Sequence, residues 1–178
     1  MAVLQITYIA AASLLIFIAS ATSNSSCGNG WVKSTESRSC LIYVHDRKTW
    51  HQARTQCQAL GGDLVKIVNS KMNKIIYQLI EGTVDLNFGR GLWWIGLHAT
   101  SRRGEFHWLD EKKKAEFTDW LPGRPETQLA EVCTAVEYSD KNRKEKWSWD
   151  DENCNGKQSF ICEKVEGKTL CEFVVEDF

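Results

Sequence analysis

Seven cysteines, all placed after an apolar N-terminal segment, constrain this chain more than any other feature. They stand at Cys27, Cys40, Cys57, Cys133, Cys154, Cys162 and Cys171. In an oxidising compartment such cysteines form disulfides by default, and the chain contains no Cys-x-x-Cys pair typical of zinc or redox sites. The six from Cys27 to Cys162 therefore predict a disulfide framework. Three bridges among seven cysteines can be arranged in roughly a hundred ways, so spacing alone does not choose between them.

The N-terminal segment predicts secretion. Residues 8–21 are almost wholly apolar, and Ala19 and Ala21 form the small-x-small pattern that signal peptidase requires. We predict cleavage after Ala21, with residues 1–21 as signal peptide and a secreted, extracellular product. The alternative is a membrane anchor, but the run is shorter than the ~20 apolar residues that a span needs. We therefore predict that the chain does not span a membrane.

The remainder has the size and charge of one near-neutral domain. We place the domain at 22–170, with its core at 27–164, and treat 171–178 as a C-terminal tail. The formal net charge is −1. Nucleic-acid binding needs a basic face, so this balance argues against nucleic acid as a partner.

The periodicity predicts an α+β fold with two helices. Thr49 with Gln52 three residues later forms a capping box for the first helix, and the second begins near Ser70 and ends at Gly82. Residues 27–40 indicate a hairpin. Strands are predicted over 41–44, 64–68, 92–97, 105–109, 132–138, 146–149 and 159–163.

Regular structure is sparse between Leu97 and Val132, which is typical of a functional loop region or of disorder. Four large apolar residues argue against disorder, since they can anchor a folded loop onto the body of the domain. They are Trp108, Phe117, Trp120 and Leu121. Most of the eight tryptophans in the chain should be buried in the core, because each removes a large apolar area from water.

Several short motifs occur in an order that resembles a known family. They include Trp94-Ile95-Gly96-Leu97, the loop from Trp120 to Pro125, Glu131 with Cys133, and Trp149-Asp150-Asp151. The chain resembles the long form of the C-type lectin-like domain over Cys27 to Lys164. This resemblance implies two helices, small antiparallel sheets, a long loop region and three intrachain disulfides. The implied bridges are Cys27–Cys40, Cys57–Cys162 and Cys133–Cys154.

The resemblance also implies a binding site in the long loop. Sugar-binding members hold calcium, which takes 6–8 oxygen ligands, and the metal in turn binds two sugar hydroxyls. Carried over by position, the site consists of Arg124, Pro125, Glu126, Glu131, Asp150 and Asp151. The calcium ligands among them would be Glu126, Glu131, Asp150 and Asp151. Pro125 would follow a cis peptide bond.

Arg124 departs from the family pattern, which has glutamate or glutamine at this position. A guanidinium is always charged and has only donors, so it cannot be a calcium ligand. Crowded carboxylates without a cation would repel one another and raise at least one pKa. Two arrangements therefore remain open. Either calcium binds with Arg124 turned away, or Arg124 is itself the cation and pairs with Glu126 or Glu131, which would suit acetamido or acidic sugars.

Two further residues have alternative interpretations. Trp147 lies two residues before Trp149, so its ring could stack on a sugar, or it could pack in the core. Cys171 is the unpaired seventh cysteine, and an odd cysteine in a secreted chain predicts intermolecular pairing or a free thiol. We favour a disulfide-linked homodimer.

The function predicted from the sequence is glycan binding by a secreted lectin at the acidic long-loop site, with a role in innate recognition of microbes as one fitting context. The alternative is a protein-binding module on the same fold, without sugar or calcium binding. An enzyme is not expected. Asp150 and Asp151 are adjacent and would point apart on a strand, and no catalytic motif is present.

Overall fold

The structure is a computed structural model that describes residues 27–84, 90–100, 105–109, 111–126, 131–139 and 146–167. The predicted signal peptide, the loop 127–130 and the tail with Cys171 lie outside the described residues. Among the described helices, none combines the length and apolarity needed to cross a membrane.

Both predicted helices are confirmed, with their predicted ends. Helix α1 spans Trp50–Ala59, and the side chain of Thr49 accepts a hydrogen bond from the Gln52 backbone in the expected capping box. Helix α2 spans Ser70–Glu81, is capped by Asn69 and ends at Gly82. Each helix buries one apolar stripe against the sheet, which follows from the 3.6-residue period of its sequence.

The described strands form one sheet. They are β1 Val32–Lys33, β2 Ser39–Lys48, β3 Asp63–Leu64, β4 Arg90–Ala99, β5 His107–Trp108, β6 Val132–Ser139, β7 Trp147–Glu152 and β8 Gln158–Val165. The order is β1-β2-β8-β4-β6-β7, with β3 paired to β8 and β5 paired to β4. The pairs are antiparallel as expected, except that β4 runs parallel to β8 and so joins the two antiparallel halves.

The aromatic residues of the loop region are anchors, as predicted. Trp149 of β7 is fully buried and makes edge contacts with Trp108, Phe117 and Trp120, at ring-centroid distances of 6.0, 5.6 and 6.0 Å. Its indole Nε1 donates to Asn73 Oδ1 of α2 at 3.0 Å. One side chain therefore links the long loop region, β7 and α2.

All three predicted disulfides are confirmed. The bridges are Cys27–Cys40, Cys57–Cys162 and Cys133–Cys154, with Cα–Cα distances of 5.4, 5.4 and 5.1 Å. Cys57–Cys162 ties α1 to β8 across 105 residues, and such a closure stabilises the fold by up to ~4.7 kcal/mol on the chain-entropy account. Cys133–Cys154 ties the start of β6 to the chain just after β7, beside the predicted site residues.

Candidate functional site

The predicted site residues lie at the outer edge of the sheet, where β7 is the last strand. Residues 119–121 run along this edge and cover its backbone. The Trp149 amide donates to Asp119 O at 2.7 Å, and the Leu121 amide donates to Trp149 O at 2.8 Å. An exposed edge strand would otherwise offer unpaired backbone groups to other chains. This contact also brings the following residues, Arg124 to Glu126, beside the end of β7.

Arg124 is paired with three carboxylates. Its Nε lies 2.8 Å from Asp150 Oδ1, and its Nη1 lies 3.4 Å from both Asp151 Oδ1 and Glu126 Oε2. The Glu126 amide donates to Asp151 Oδ2 at 3.0 Å. The peptide bond between Arg124 and Pro125 is cis, as the resemblance implied. We call this group of residues, Arg124 to Glu126 with Asp150 and Asp151, the loop site.

Asp150 and Asp151 are successive residues of a strand, so their side chains leave opposite faces of the sheet. They nevertheless share one guanidinium, because Arg124 approaches from beyond the sheet edge and can reach both sides of β7. This geometry favours the second of the two arrangements predicted from the sequence, in which Arg124 is itself the cation. Arg124 is not turned away from the carboxylates but lies among them.

A second arginine, which sequence reasoning did not identify, completes the network. Arg90, the first residue of β4, places Nη2 3.1 Å from Asp150 Oδ2 and 3.3 Å from Glu152 Oε1. Its Nε lies 3.0 Å from Oε1 of Glu137, whose side chain is fully buried. No local sequence motif identifies Arg90 as part of this network. It contacts the carboxylates only because β4 pairs with β6 and β6 pairs with β7.

The crowding of charge changes the acidity of Asp150. Its pKa is raised to about 6: burial is the largest cause, the Arg124 guanidinium acts in the opposite direction, and the carboxylates of Glu137, Glu152 and Asp151 act in the same direction as burial. This is the response expected for carboxylates gathered in a small volume. Asp150 therefore gains a proton at a pH well above the range of an ordinary aspartate.

Glu131 is not brought to Arg124. Its Oε2 lies 3.3 Å from His51 Nε2 on α1, so this carboxylate pairs with the helix instead. His51 was not predicted as a partner, since the two residues are 80 positions apart and share no recognisable spacing. Of the four predicted carboxylates, three surround Arg124 and the fourth does not.

Trp147 lies on β7, and its ring packs against other aromatic rings of the protein. It stacks on Tyr77 of α2 with a centroid distance of 4.8 Å and an interplanar angle of 14°. The ring also contacts Tyr138 and Trp93, and Nε1 donates to Glu81 Oε1 at 2.9 Å. These contacts favour the core-packing interpretation over stacking on a ligand.

The contacts at the loop site do not fit a calcium ion. Both Asp150 oxygens face arginine nitrogens, and both Asp151 oxygens are engaged by Arg124 and by the Glu126 amide. The guanidinium stands where a cation would have to approach, and like charges repel at this range. Across the ranges that the structure covers, no group of three or more histidine, cysteine or acidic side chains is arranged to hold a metal.

Comparison with known proteins agrees with this fold. Residues 46–164 match the Lectin C-type domain family. The chain is 31% identical to a perlucin-like protein of Mytilus galloprovincialis over 89% of this chain and 99% of that protein. It also resembles the solved structure of human lithostathine, with 25% identity, a TM-score of 0.64 and coverage of 80% and 93% of the two chains. A third likeness is to the SPL-1–GlcNAc complex, with 28% identity, a TM-score of 0.61 and coverage of 78% and 95%.

The match to the family covers more than half of the chain and includes α1, α2, the loop region and β8. The order of elements, the three bridges and the cis bond before Pro125 agree with it. The chain belongs to the C-type lectin domain family.

Proposed function

We propose that this protein is a secreted lectin that binds glycans at the loop site without calcium. The single observation that carries the proposal is the position of Arg124 among Asp150, Asp151 and Glu126. In this arrangement the guanidinium supplies the positive charge that the carboxylates need. Direct hydrogen bonds from side chains then take the place of metal coordination in holding a sugar.

The exposed groups of the loop site define the class of sugar. The Glu126 side chain is 60% exposed and that of Arg124 is 28% exposed, whereas Asp150 and Asp151 are almost fully buried. The loop site contains three carboxylates and one guanidinium, so its net charge is negative. This charge would repel the acidic sugars that were one of the options from the sequence. A neutral acetamido sugar fits better.

An acetamido group matches these two exposed side chains. Its N–H can donate to the Glu126 carboxylate, and its carbonyl oxygen can accept from an N–H group of the partly exposed Arg124 side chain. The likeness to the SPL-1–GlcNAc complex, at 28% identity, supports this choice.

Binding rather than catalysis is proposed, because the acid with the perturbed pKa is held on both sides. Asp150 lies between Arg90 and Arg124 and has no free oxygen for proton transfer to a substrate. Secretion is supported by three disulfides, which persist in oxidising compartments. The boundaries 1–21, 22–170 and 171–178 remain our proposal for signal peptide, domain and tail.

An immobilised-glycan screen of the mature protein, run once with calcium and once with a chelator, tests the proposal. We expect binding to sugars with N-acetyl groups, equal under both conditions. Glu126→Ala should weaken binding about 10-fold, the value of one hydrogen bond to a charged group. Glu116→Ala is the matched control, since Glu116 is another exposed glutamate elsewhere in the loop region and its removal should have no effect on binding.

Two outcomes contradict the proposal in different ways. Binding that disappears with the chelator would overturn the calcium-free site. No binding to any glycan, together with binding to a protein partner, would instead favour the protein-binding module. The near-complete burial of Asp150 and Asp151 is the observation that favours this second function.

A disulfide-linked homodimer through Cys171 also remains a proposal. Two linked sites would gain avidity on multivalent glycan surfaces without any new contact. Non-reducing gels should show a dimer that becomes a monomer on reduction and in Cys171→Ser. A monomer in both lanes would exclude the covalent dimer.

A further inference from the structure

A cleft separate from the loop site opens between β2, the start of β4 and the end of α2. Its volume is about 620 Å³, within the usual range for small-molecule sites. Tyr43, His45 and Arg47 line it from alternate positions of β2, as side chains on one strand face do. We call it the basic cleft, and its other lining residues include Arg90, Trp93 and Ser159.

Arg47 is the distinctive group of the basic cleft. Its Nε donates to Lys157 O and its Nη2 donates to Gln158 Oε1, both at 3.1 Å. These bonds orient the guanidinium with neutral acceptors only. In the described structure no carboxylate lies within ion-pair distance of Arg47, and no aspartate or glutamate is among the residues that line the cleft.

An oriented guanidinium whose partners among the described residues are all neutral is suited to an anionic oxygen group, because its planar fork matches carboxylate and sulfate geometry. The contrast with Arg90 supports this assignment. Arg90 also lines the cleft, but its charge is balanced by Glu137, Asp150 and Glu152. Of the two arginines that line the described part of the cleft, Arg47 is therefore the one whose charge is left for a ligand.

The rest of the cleft suits a sugar ring. The partly exposed ring of Tyr43 and the partly exposed apolar side chain of Leu92 provide surface for the C–H face of a pyranose. Thr83 and Gln158 add groups that can bond to sugar hydroxyls. The Thr83 hydroxyl donates to Leu79 O but can still accept, and the Gln158 Oε1 accepts from Arg47 but its Nε2 can still donate. A bare inorganic anion would use only the guanidinium and would leave this surface without a partner.

We propose that the basic cleft is a second ligand site, which binds an anionic sugar with its carboxylate or sulfate on Arg47. None of the described residues that line it belongs to the loop site, although Arg90 contacts Asp150 there, so binding in the cleft can be tested separately from glycan binding at the loop site.

Calorimetric titration of the full secreted protein with four probes tests the proposal. The probes are glucuronic acid, glucose 6-sulfate, glucose and inorganic sulfate. We expect glucuronic acid or glucose 6-sulfate to bind at least about 10-fold more tightly than glucose, because the uncharged sugar lacks the charge-assisted bond. The two charged sugars distinguish a carboxylate site from a sulfate site.

Variants locate the binding. Arg47→Gln should weaken the charged sugar about 10-fold or more and leave glucose unchanged. Arg47→Lys keeps the positive charge and should retain part of the affinity. Such partial retention would show that the loss in Arg47→Gln comes from the missing charge and not from misfolding. Glu126→Ala, at the loop site, should leave the titration unchanged.

Three results would overturn the proposal. The first is no binding of either charged sugar up to about 10 mM, an affinity too weak to count as a site. The second is equal binding by the wild type and by Arg47→Gln with an unchanged melting temperature. The third is inorganic sulfate binding as tightly as the sugars, which would reduce the cleft to an anion site.

Discussion

The loop site and the basic cleft each present an arginine, but the surroundings of the two guanidinium groups differ. Arg124 of the loop site faces three carboxylates, whereas Arg47 of the cleft is held by a backbone carbonyl and a side-chain amide. The charge of Arg124 is therefore balanced within the protein, which leaves it suited to a hydrogen bond with a neutral sugar. The charge of Arg47 stays available to a ligand.

Arg90 lies between the two regions and shows that exposure alone does not separate these roles. Its side chain is 46% exposed and lines the cleft, yet it holds the buried carboxylates of Glu137 and Asp150. Removing one partner from such a pair leaves an uncompensated buried charge, which is strongly destabilising. The partners of an arginine, more than its accessibility, therefore determine whether its positive charge is balanced within the fold or stays available to an anionic ligand.

Replacing Arg90 and Arg47, the two arginines that line the cleft, one at a time should change the stability of the protein most. Arg90→Met should lower the free energy of unfolding by about 3 kcal/mol, since the buried Glu137 loses its ion pair with Arg90 and the buried Asp150 keeps only Arg124. Arg47→Met, the matched control, should cost less than about 1 kcal/mol, because only exposed hydrogen bonds are lost. Urea denaturation at pH 7 measures both. Equal losses in the two variants would break the distinction between a structural and an available arginine.

The acidic network should also respond to pH. The folded pKa of Asp150, about 6, lies above its ordinary value of 3.8, so the folded state binds the proton more tightly. Its contribution to stability is therefore fully present below about pH 4 and is lost as the pH rises through 6, by at most about 3 kcal/mol. Denaturation of the wild type and Asp150→Asn between pH 4 and 7 measures it.

The difference in stability between these two proteins should change over that range and become constant above it. Glu116→Gln provides a control of opposite sign. Its hydrogen bond and ion pair with Lys113 lower the pKa of Glu116, so that contribution is lost as the pH falls. A wild-type minus Asp150→Asn difference that does not vary with pH would exclude Asp150 as the titrating group.

Calcium provides a third way to separate the two regions. Arg124→Gln removes the guanidinium and adds an oxygen donor beside Asp150, Asp151 and Glu126, so it should create calcium affinity. At calcium 100-fold above the dissociation constant, the variant should gain about 2.7 kcal/mol of stability. The wild type and Arg47→Gln, the same change in the cleft, should not respond. Equal stabilisation of the wild type would show that Arg124 does not exclude the metal.

Local signals in the sequence predicted the parts of the fold that depend on neighbouring residues. The capping box of Thr49 and Gln52 and the glycine at position 82 mark helix ends through contacts a few positions apart. The resemblance to the family added the three bridges and the placement of Arg124 beside Asp150 and Asp151. These features were predictable because each is tied to a short motif.

The rest of the charge network was not predictable, because strand pairing brings distant positions together. Arg90 meets Asp150 across 60 residues, and His51 meets Glu131 across 80. Neither pair has a spacing that identifies it. The register of β4, β6 and β7 determines which face of the sheet the side chains of Arg90 and Asp150 occupy. A shift of one residue would move each side chain to the opposite face.

The smallest expected effect concerns Trp147, which was open between packing and sugar stacking. Its ring stacks on Tyr77 and its Nε1 donates to Glu81, so Trp147→Phe should cost about 1 kcal/mol of stability through the lost hydrogen bond and ring area. Binding of an N-acetylated sugar at the loop site should be unchanged, because the ring faces α2 and not Arg124. Denaturation and a glycan titration on the same preparation measure the two effects separately. Loss of sugar affinity with unchanged stability would instead assign Trp147 to the binding surface and extend the loop site along β7.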